Sequence, residues 1–396
     1  MKIISLTIIT ILLLTNCKPK ETEGQLIEPT TSINVDLHIE DTLYIEAGDL
    51  FNDLSIVRLE TNSTLTIGNI YGLIRSNNYF IIETDIGCYL FTHNGRFLRE
   101  LYRRGRGPEE FLSPKFSPII VNNILYLEDW SKSRDRYYGI DIESGEIKVI
   151  EKPLAWHTHD FLVTEEETIA AFGEYIPDET DHATGLSRVF KRDIYFQDMN
   201  GNLVGKCDLG FAEHGRVFGL AEMHNLGGEI YLTTPRGETT LRIRDNQADT
   251  IWTNHFDIEF KRGDIPGKYT YASLIYYSTE WVLLQKQEVE IVIRQNIRSG
   301  RQARKGIILV DRYERTTKIL KSYLKTRSNP LYLTKFDFTR DGYLCKVLYA
   351  HQIVEMIKDP DMENYINELM QTGSYFADEQ ISIDNNPFLL IGRIND

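Results

Sequence analysis

The stretch YLFTHNGRFLREL, residues 89–101, places Asn94-Gly95 between two runs of alternating apolar residues. An Asn-Gly pair in this setting is a strong signal for a β-hairpin, because both central residues of a type I′ turn need positive φ. Similar turn sequences recur at intervals of about 50 residues, followed by one longer interval. They are Ser144-Gly145, Asn200-Gly201, Asn246-Gln247 and a glycine-free turn near Glu314. The sequence therefore predicts a series of regularly spaced hairpins.

A further apolar strand precedes each hairpin. These strands lie at 78–84, 123–129, 168–174, 229–235 and 280–286, and 342–350 is the middle strand of a sixth unit. Six units of three or four short antiparallel strands, with a period near fifty residues, predict an all-β fold that is a six-bladed β-propeller. Two stacked β-sandwiches would give a similar number of strands, but they would not require this regular order of strands and turns.

Two apolar segments lie outside the repeats, LSIVRLE (54–60) before the first and PFLLIGRI (387–394) at the C-terminal end. A propeller that does not close its ring leaves an unpaired sheet edge, so we expect both segments to pair in the last blade. A segment near 353–371 breaks the strand pattern, with apolar residues at helical spacing after Asp359-Pro360. It predicts a short helical insertion in the sixth blade, which either covers a blade face or acts as a lid or partner surface.

The composition is consistent with a large β-rich core. Hydrophobic residues make up 42% of the 396 residues, and Tyr (22) and Phe (18) are frequent, as is typical of strands. Acidic residues outnumber basic ones 58 to 44, and the net charge of −14 argues against binding nucleic acid. Cys88, Cys207 and Cys345 lie far apart and lack metal-ligand spacing, so we expect free buried thiols, with one disulfide as the alternative.

The N-terminus has the features of a targeting segment. Lys2 precedes an apolar run over residues 3–14, which is too short to span a bilayer and matches the core of a signal peptide. The run ends in LTNC, so residues 1–17 resemble a lipoprotein signal peptide in which Cys17 is lipidated. The alternative is an ordinary secretory signal with an unrelated cysteine. Residues 18–35 are polar, which predicts a flexible tether before a propeller over 36–396.

The stretch NGRFLRELYRRGRGPEEF (94–111) resembles a motif of the six-bladed β-propeller lipoproteins of Bacteroidota, which have NHL-like blades. IVRLET (56–61) and NNPFLLIGRI (385–394) resemble the opening and closing strands of that family. The resemblance spans about 35–396 and implies a lipid-anchored propeller of the cell envelope, in a family whose members mostly have no assigned activity. Glu109 replaces the second glycine of the family motif, whose matching residues here are Gly105, Gly107, Pro108, Glu110 and Phe111.

We expect this loop to be structural, joining the outer strand of one blade to the inner strand of the next. Gly105 and Gly107 would relieve steric limits on φ, and Pro108 would stiffen the exit. Glu110 would pair with one of the arginines at 103, 104 or 106. A phosphate-binding loop is disfavoured, because the stretch lacks a Gly-Lys-Ser/Thr ending and no helix is predicted after it.

Two other segments contain candidate ligand-binding residues. In WHTHD (156–160), His157 and His159 are two residues apart and would share one face of a strand, with Asp160 on the other. They predict either hydrogen-bonded histidines at a blade entrance or part of a metal site that needs a third donor. EDWSKSRDRYY (128–138) contains residue types that stack on sugars or bind carboxylates, and the alternative is a solvated hairpin tip. Its candidates are Trp130, Arg134, Arg136 and Tyr137.

Common nucleophile and metalloprotease motifs are absent from the sequence. The predicted function is therefore a non-catalytic binding or scaffold propeller, anchored by lipid in the outer membrane or elsewhere in the cell envelope, on the periplasmic or the surface side. It would bind a glycan, peptide or protein at one mouth of the central channel, without a cofactor and without nucleic acid. The alternative is a metal-dependent hydrolase or lyase with a divalent metal in the channel. The side chains that line the channel would distinguish the two.

Overall fold

The structure of the protein is a computed structural model. The predicted signal peptide with Cys17, and residues 18–32 of the predicted tether, lie outside the residues that it describes. It describes residues 33–34, 41–61, 65, 67–76, 78–129, 131–133, 135–152, 156–175, 189–214, 222–226, 228–233, 239–244, 247–253, 267–277, 281–294, 297–311, 316–324, 331–333, 338–340, 343–374 and 380–394.

The described strands form six separate sheets, and three short strands precede the repeats. These are β1 (Ile33–Asn34), β2 (Thr42–Glu46) and β3 (Ser55–Arg58), with helix α1 (Ala47–Leu50) before β3. Blade 1 contains β4 (Ile70–Arg75), β5 (Tyr79–Thr84), β6 (Gly87–Thr92) and β7 (Phe97–Arg103). Blade 2 contains β8 (Pro114–Val121), β9 (Ile124–Asp129), β10 (Arg136–Asp141) and β11 (Ile147–Glu151). Blade 3 contains β12 (Trp156–Val163), β13 (Ile169–Tyr175), β14 (Val189–Gln197) and β15 (Leu203–His214).

The second half of the chain forms three more blades. Blade 4 contains β16 (Glu222–Leu226), β17 (Glu229–Thr233), β18 (Thr239–Arg244) and β19 (Gln247–Thr253). Blade 5 contains β20 (Gly267–Tyr277), β21 (Trp281–Arg294), β22 (Ile297–Asp311), β23 (Thr316–Leu324) and β24 (Leu331–Leu333). Blade 6 contains β25 (Phe338–Arg340), β26 (Tyr343–Leu348), β27 (Phe388–Arg393) and β3. Parallel pairing adds β1 to the outer strand of blade 4 and β2 to that of blade 5, which the sequence did not predict.

The first strands of successive blades contact one another around a closed ring, β4 with β8, β8 with β12, β12 with β16, β16 with β20, β20 with β25, and β25 with β4. The first strand of each blade is therefore innermost, and the predicted six-bladed β-propeller is confirmed. We call the side of the ring where β4 and β8 begin and β5 and β9 end the front face.

The ring is closed by strands from the two ends of the chain, as predicted. β27 pairs antiparallel with β3, in a register that places Phe388 opposite Arg58. The side chain of Asn386, 3% exposed, connects the two ends further. Its Oδ1 accepts from the backbone N–H of Ile67 at 2.8 Å, and its Nδ2 donates to the carbonyl of Glu60 at 2.6 Å. Blade 6 therefore needs both ends of the chain.

The predicted helical insertion is also confirmed. Helices α2 (Ala350–Met356) and α3 (Pro360–Gly373) lie between β26 and β27, and the Asp359 side chain caps α3 by accepting from the Asp361 N–H at 3.0 Å. Buried Ile366 and Met370 of α3 belong to one core cluster with strand residues of blades 5 and 6. The helices thus cover the blades, and a role as a lid or partner surface stays a prediction.

The hairpins form where they were predicted, but with a different turn. Gly95, Gly145 and Gly201 have φ of +87°, +79° and +85°, whereas the residues before them do not have positive φ. In the first hairpin the Gly95 N–H donates to the Thr92 carbonyl at 3.0 Å, as in a type I turn followed by a left-handed glycine. A pair with two positive φ values occurs instead at Asn122 and Asn123, in the first turn of blade 2. The turns predicted at Asn246 and near Glu314 fall outside the described residues.

These glycines also let each hairpin approach the outer strand of the preceding blade. A Cβ at Gly95 would overlap the carbonyl oxygen of Arg58 in β3. A Cβ at Gly145 would lie 2.6 Å from the Arg99 guanidinium in β7, and one at Gly201 would lie 2.7 Å from the Glu151 carbonyl in β11. The hairpin glycine is therefore required by the contact between blades as well as by the turn. The three cysteines whose state was left open, Cys88, Cys207 and Cys345, are free and buried.

Removing residues 387–396 is expected to unfold the whole propeller. The deletion removes the β27 strand, including Phe388, Leu389 and Leu390, which are 0–1% exposed and contribute roughly 1.5–3 kcal/mol each. Thermal unfolding followed by circular dichroism should lose its cooperative transition, whereas a chain that lacks only 395–396 should unfold like the wild type. A truncated chain that is folded and resists protease would contradict closure by the chain ends.

Replacing Gly95 by Ala is expected to destabilise the protein more than replacing Gly228 by Ala. Gly228 also has positive φ, +83°, but nothing lies within 4 Å of an added Cβ, so its variant carries the backbone strain alone, about 1–2 kcal/mol. Gly95→Ala adds the clash with Arg58, about 1–3 kcal/mol more. Denaturant unfolding measures both, and equal losses of stability would show that the contact between blades is unimportant.

Candidate binding mouth

The front face carries the loop 104–113, which joins blade 1 to blade 2. The Phe111 N–H donates to the Arg103 carbonyl at 3.1 Å, and the Gly107 N–H donates to the Glu110 carboxylate at 2.8 Å. Phe111 is fully buried, with its ring 5.2 Å from that of Tyr102. The loop therefore forms a compact turn with its own hydrogen bonds and its own core residue.

The reason for the two glycines in this loop differs from the one expected. Neither Gly105 nor Gly107 has positive φ. Instead, the Glu110 carboxylate occupies the space where their Cβ atoms would lie, overlapping the one at Gly105 and 3.0 Å from the one at Gly107. The described partner of that carboxylate is a backbone amide, where the sequence had suggested an arginine. Pro108 lies exposed at the tip of the loop.

An acid and a base are paired at equivalent places in blades 1 and 2. Glu83 and Glu128 are each the second-last residue of the second strand, and Arg104 and Lys152 each follow the outer strand directly. Arg104 Nη2 lies 2.5 Å from Glu83 Oε1, and Lys152 Nζ contacts Glu128 Oε1. Because the strands run in the same directions in both blades, the same two positions meet at the front face.

The pair in blade 2 is the more buried of the two. The side chains of Lys152 and Glu128 are 2% and 1% exposed. Lys152 Nζ also donates to Thr158 Oγ1 at 3.0 Å, and it lies 4.4 Å from the centre of the Tyr137 ring. Removing one charge of such a pair leaves the other buried without compensation, which costs about 3–5 kcal/mol. This pair holds blade 2 against the first strand of blade 3.

Burial dominates the protonation equilibria of these groups. It raises the pKa of the Glu83 carboxyl, against the opposing effect of the Arg104 guanidinium. It lowers the pKa of the Lys152 ammonium group, against the opposing effect of Glu128. Burial also raises the pKa of the Tyr137 hydroxyl. The pairs are thus desolvated, and their partners are what keep the charged forms favourable.

A third ion pair connects the first strands of three blades. Lys115 Nζ in β8 lies 3.2 Å from Asp160 Oδ1 in β12. The other oxygen of Asp160 accepts from the backbone N–H of Met223 in β16 at 2.7 Å. The Lys115 side chain is 35% exposed and that of Asp160 12%. A partly solvated cation is therefore fixed beside the channel where blades 2, 3 and 4 meet.

Three residues that contact Arg104 have large apolar side chains that are exposed. They are Tyr71, Ile86 and Leu112, which are 56%, 50% and 36% exposed. The Arg104 guanidinium lies 5.3 Å from the centre of the Tyr71 ring, and its Nη1 donates to the Leu112 carbonyl at 3.3 Å. The backbone N–H of Arg104 donates to the Ile86 carbonyl at 2.9 Å. One arginine thus contacts all three residues, which we call the Arg104 patch.

The structure does not bring the candidate ligand-binding residues of 128–138 together in one site. Trp130 and Arg134 lie outside the described residues. Arg136 begins β10 and pairs with Glu151 of the outer strand at 3.0 Å. Tyr137 is 1% exposed and packs on Phe161, so it contributes to the core between blades. Ligand binding by these residues stays a prediction.

For His157 and His159 the structure describes the backbone only. Both lie in β12, but the pairing with β13 shifts between Thr158 and Asp160, so His159 is the extra residue of a bulge. The regular alternation that would place the two histidines on one face is interrupted there. Asp160, expected to point away from them, is the residue that binds Lys115. A metal role for the two histidines stays a prediction.

Neither the three ion pairs nor the Arg104 patch was predicted from the sequence, although one signal was present. The second strands of blades 1 and 2 end in IIET and YLED, and aligning these endings would have matched Glu83 with Glu128. The shift of 45 residues that matches Glu83 with Glu128 does not match Arg104 with Lys152, which are 48 residues apart. The apolar residues of the patch lie on different strands and loops, so nothing in their spacing connects them.

Within the described part of the chain, no three His, Cys, Asp or Glu side chains form a group that would hold a metal ion. None of the described helices is long and apolar enough to cross a membrane.

The fold is similar to that of a putative exported protein of Bacteroides fragilis, whose crystal structure matches with a TM-score of 0.58 at 14% identity. The match covers 92% of this chain and 100% of that chain, and it shows the fold alone. A protein of unknown function from Bacteroides caccae matches with a TM-score of 0.32 at 11% identity, over 56% of this chain and 78% of that one. No curated protein matches the chain.

The resemblance found in the sequence is thus confirmed for the six blades, while the lipid anchor and the NHL-like character of the blades stay predictions. A family model described as a domain of unknown function, DUF4934, matches residues 30–393, and the chain belongs to this family.

Proposed function

We propose that the protein is an exported, non-catalytic binding or scaffold propeller of the cell envelope that holds its partner at the front face. The observation that carries this proposal is the Arg104 patch. Apolar side chains that lie exposed together on a propeller face are typical of interaction sites. The glycan, peptide or protein that binds there would lie beside Lys115, which adds a partly solvated cation at the channel.

Export and lipid anchoring are supported by the N-terminal sequence. The apolar run at 3–14 and the cysteine at 17 match a lipoprotein signal peptide, and the similar Bacteroides fragilis protein is described as a putative exported protein. The anchor would place the propeller on the periplasmic or the surface side of the outer membrane. The alternative, a metal-dependent hydrolase or lyase in the channel, would require a divalent metal bound by side chains that converge from different inner strands.

Tyr71→Ala is expected to weaken ligand binding without changing the fold. Tyr71 is more than half exposed, so its removal leaves the core intact, and losing an aromatic contact at the centre of an interface weakens binding about tenfold or more. The wild type and the variant would be compared on a glycan array and on a displayed library of random peptides, with calorimetry on the ligands that bind.

Val149→Ala is the matched control, because Val149 is 47% exposed but lies on the outer strand of blade 2. Ligands that bind the Tyr71 variant as tightly as the wild type, but lose affinity for the Val149 variant, would place the binding site on the rim and contradict the proposal.

A further inference from the structure

The ion pair of Glu83 and Arg104 holds the Arg104 patch in place. Arg104 Nη2 lies 2.5 Å from Glu83 Oε1, whereas Arg104 Nη1 makes a longer hydrogen bond of 3.3 Å to the Leu112 carbonyl. Arg104 Nε is buried and has no acceptor among the described residues. The Tyr71 ring, 5.3 Å away, is near the limit of a cation–π contact. The ion pair is therefore the strongest described contact of the guanidinium.

The Glu83 carboxyl is 8% exposed, and Arg104 is the described charge that acts on it. From β4 the backbone of Gly72 packs against it, with Glu83 Oε2 3.0 Å from the place of a Cβ. From β6 and β7 its neighbours are the Cys88 thiol and the Tyr102 hydroxyl. Burial raises the pKa of both groups, so both stay neutral. One guanidinium thus compensates a largely buried carboxylate.

Protonation of Glu83 removes this compensation. Burial raises the pKa of the Glu83 carboxyl, against the effect of Arg104, so it takes up a proton at a higher pH than an exposed glutamate does. Arg104 keeps its charge throughout. Once Glu83 is neutral, the guanidinium retains only the long bond to the Leu112 carbonyl and the ring of Tyr71. A quarter of its side chain is already exposed, so it can move into water, where its charge is fully hydrated.

The direction of the pKa shift means that this event leaves the propeller folded. The pKa of Glu83 is higher in the folded than in the unfolded chain, so the folded chain binds the proton more tightly and protonation stabilises it. This stabilisation is complete below the ordinary pKa of glutamate, about 4.3, and is lost as the pH rises through the raised value. Acid therefore breaks the ion pair without unfolding the blades through Glu83.

We infer that Glu83 and Arg104 form a pH-sensitive switch, in which protonation of Glu83 frees Arg104 and loosens the loop 104–113 and the Arg104 patch while the propeller stays folded. The loop follows the arginine because the Arg104 side chain binds the Leu112 carbonyl and the Arg104 N–H binds the Ile86 carbonyl. The front face then holds its partner at neutral pH and releases it in acid, and this consequence rests on the proposed function.

Two other carboxylates anchor the loop and have to be separated from Glu83. Glu110 accepts from a loop amide at 2.8 Å, and Asp129 accepts from the Leu112 N–H at 2.7 Å. Asp85, the next acid along the chain, is exposed. Glu83→Gln has the shape of the protonated side chain and no charge. Glu110→Gln is the matched control, because its amide oxygen still accepts from the loop amide.

The test measures hydrogen exchange of the full-length protein at about pH 7 and about pH 4. Protection factors, corrected for the chemical exchange rate, are compared for the amides of Arg104 and Phe111, which donate to backbone carbonyls that do not titrate. In the wild type they should fall about tenfold or more in acid, as expected for the loss of a hydrogen bond to a charged group. Glu83→Gln should show the low protection already at neutral pH, and Glu110→Gln should keep the change with pH.

The protonation of Glu83 is also followed in the wild type, so the result does not depend on how a variant folds. The carbon-13 resonance of its carboxyl group, assigned through the bonded backbone nuclei, should titrate with a midpoint above about 4.3. The loss of protection at Arg104 should have the same midpoint.

Four outcomes would overturn the inference. They are a Glu83 midpoint at or below about 4.3, constant protection at Arg104, a change with pH that is as large in Glu83→Gln as in the wild type, and unfolding of the whole propeller over the same pH range by circular dichroism. None of them concerns binding, so a failed switch leaves the proposed function standing. If Tyr71→Ala leaves binding unchanged, the consequence for the partner falls and the switch remains.

Discussion

The pairing of β27 with β3 is the constraint on which the rest of the structure depends. Each blade buries its faces against the two neighbouring blades, so no blade has a complete core until the ring is closed. Closure uses backbone hydrogen bonds between β27 and β3 and the buried amide of Asn386, which joins residue 386 to residues 60 and 67. The apolar side chains that this brings together, such as Phe388 and Ile56, then belong to one core with the helical insertion.

Closure of the ring also determines which charged side chains meet at the front face. With the blades held in a ring, residues at the same place in successive blades lie side by side, and the paired charges of blades 1 and 2 follow from this. Glu128 and Lys152 are almost fully buried, whereas Arg104 keeps a quarter of its side chain exposed. The Glu128–Lys152 pair therefore stabilises the contact between blades 2 and 3, whereas the Glu83–Arg104 pair supports the exposed Arg104 patch.

The sequence predicted the fold well because the fold depends on local patterns. Alternating apolar strands, hairpin glycines and a terminal apolar strand are each visible within about ten residues, and the structure confirms them. The predicted turn type and the predicted reason for Gly105 were wrong. At Gly105 the reason is the Glu110 carboxylate, which occupies the space of a Cβ and which no local pattern reveals. The site was not predictable for the same reason, since Lys115, Asp160 and Met223 meet only in the folded ring.

The loop at 104–113 is a structural motif that also supports the proposed binding surface. Its glycines and Glu110 serve the turn, and Phe111 fastens it to the core between blades 1 and 2. Because these contacts fix the backbone on both sides, the loop holds the Arg104 guanidinium under Tyr71 and keeps Leu112 exposed beside it. Structural residues of the loop therefore position the Arg104 patch, and substitutions at Gly105 would disturb the patch without changing any residue in it.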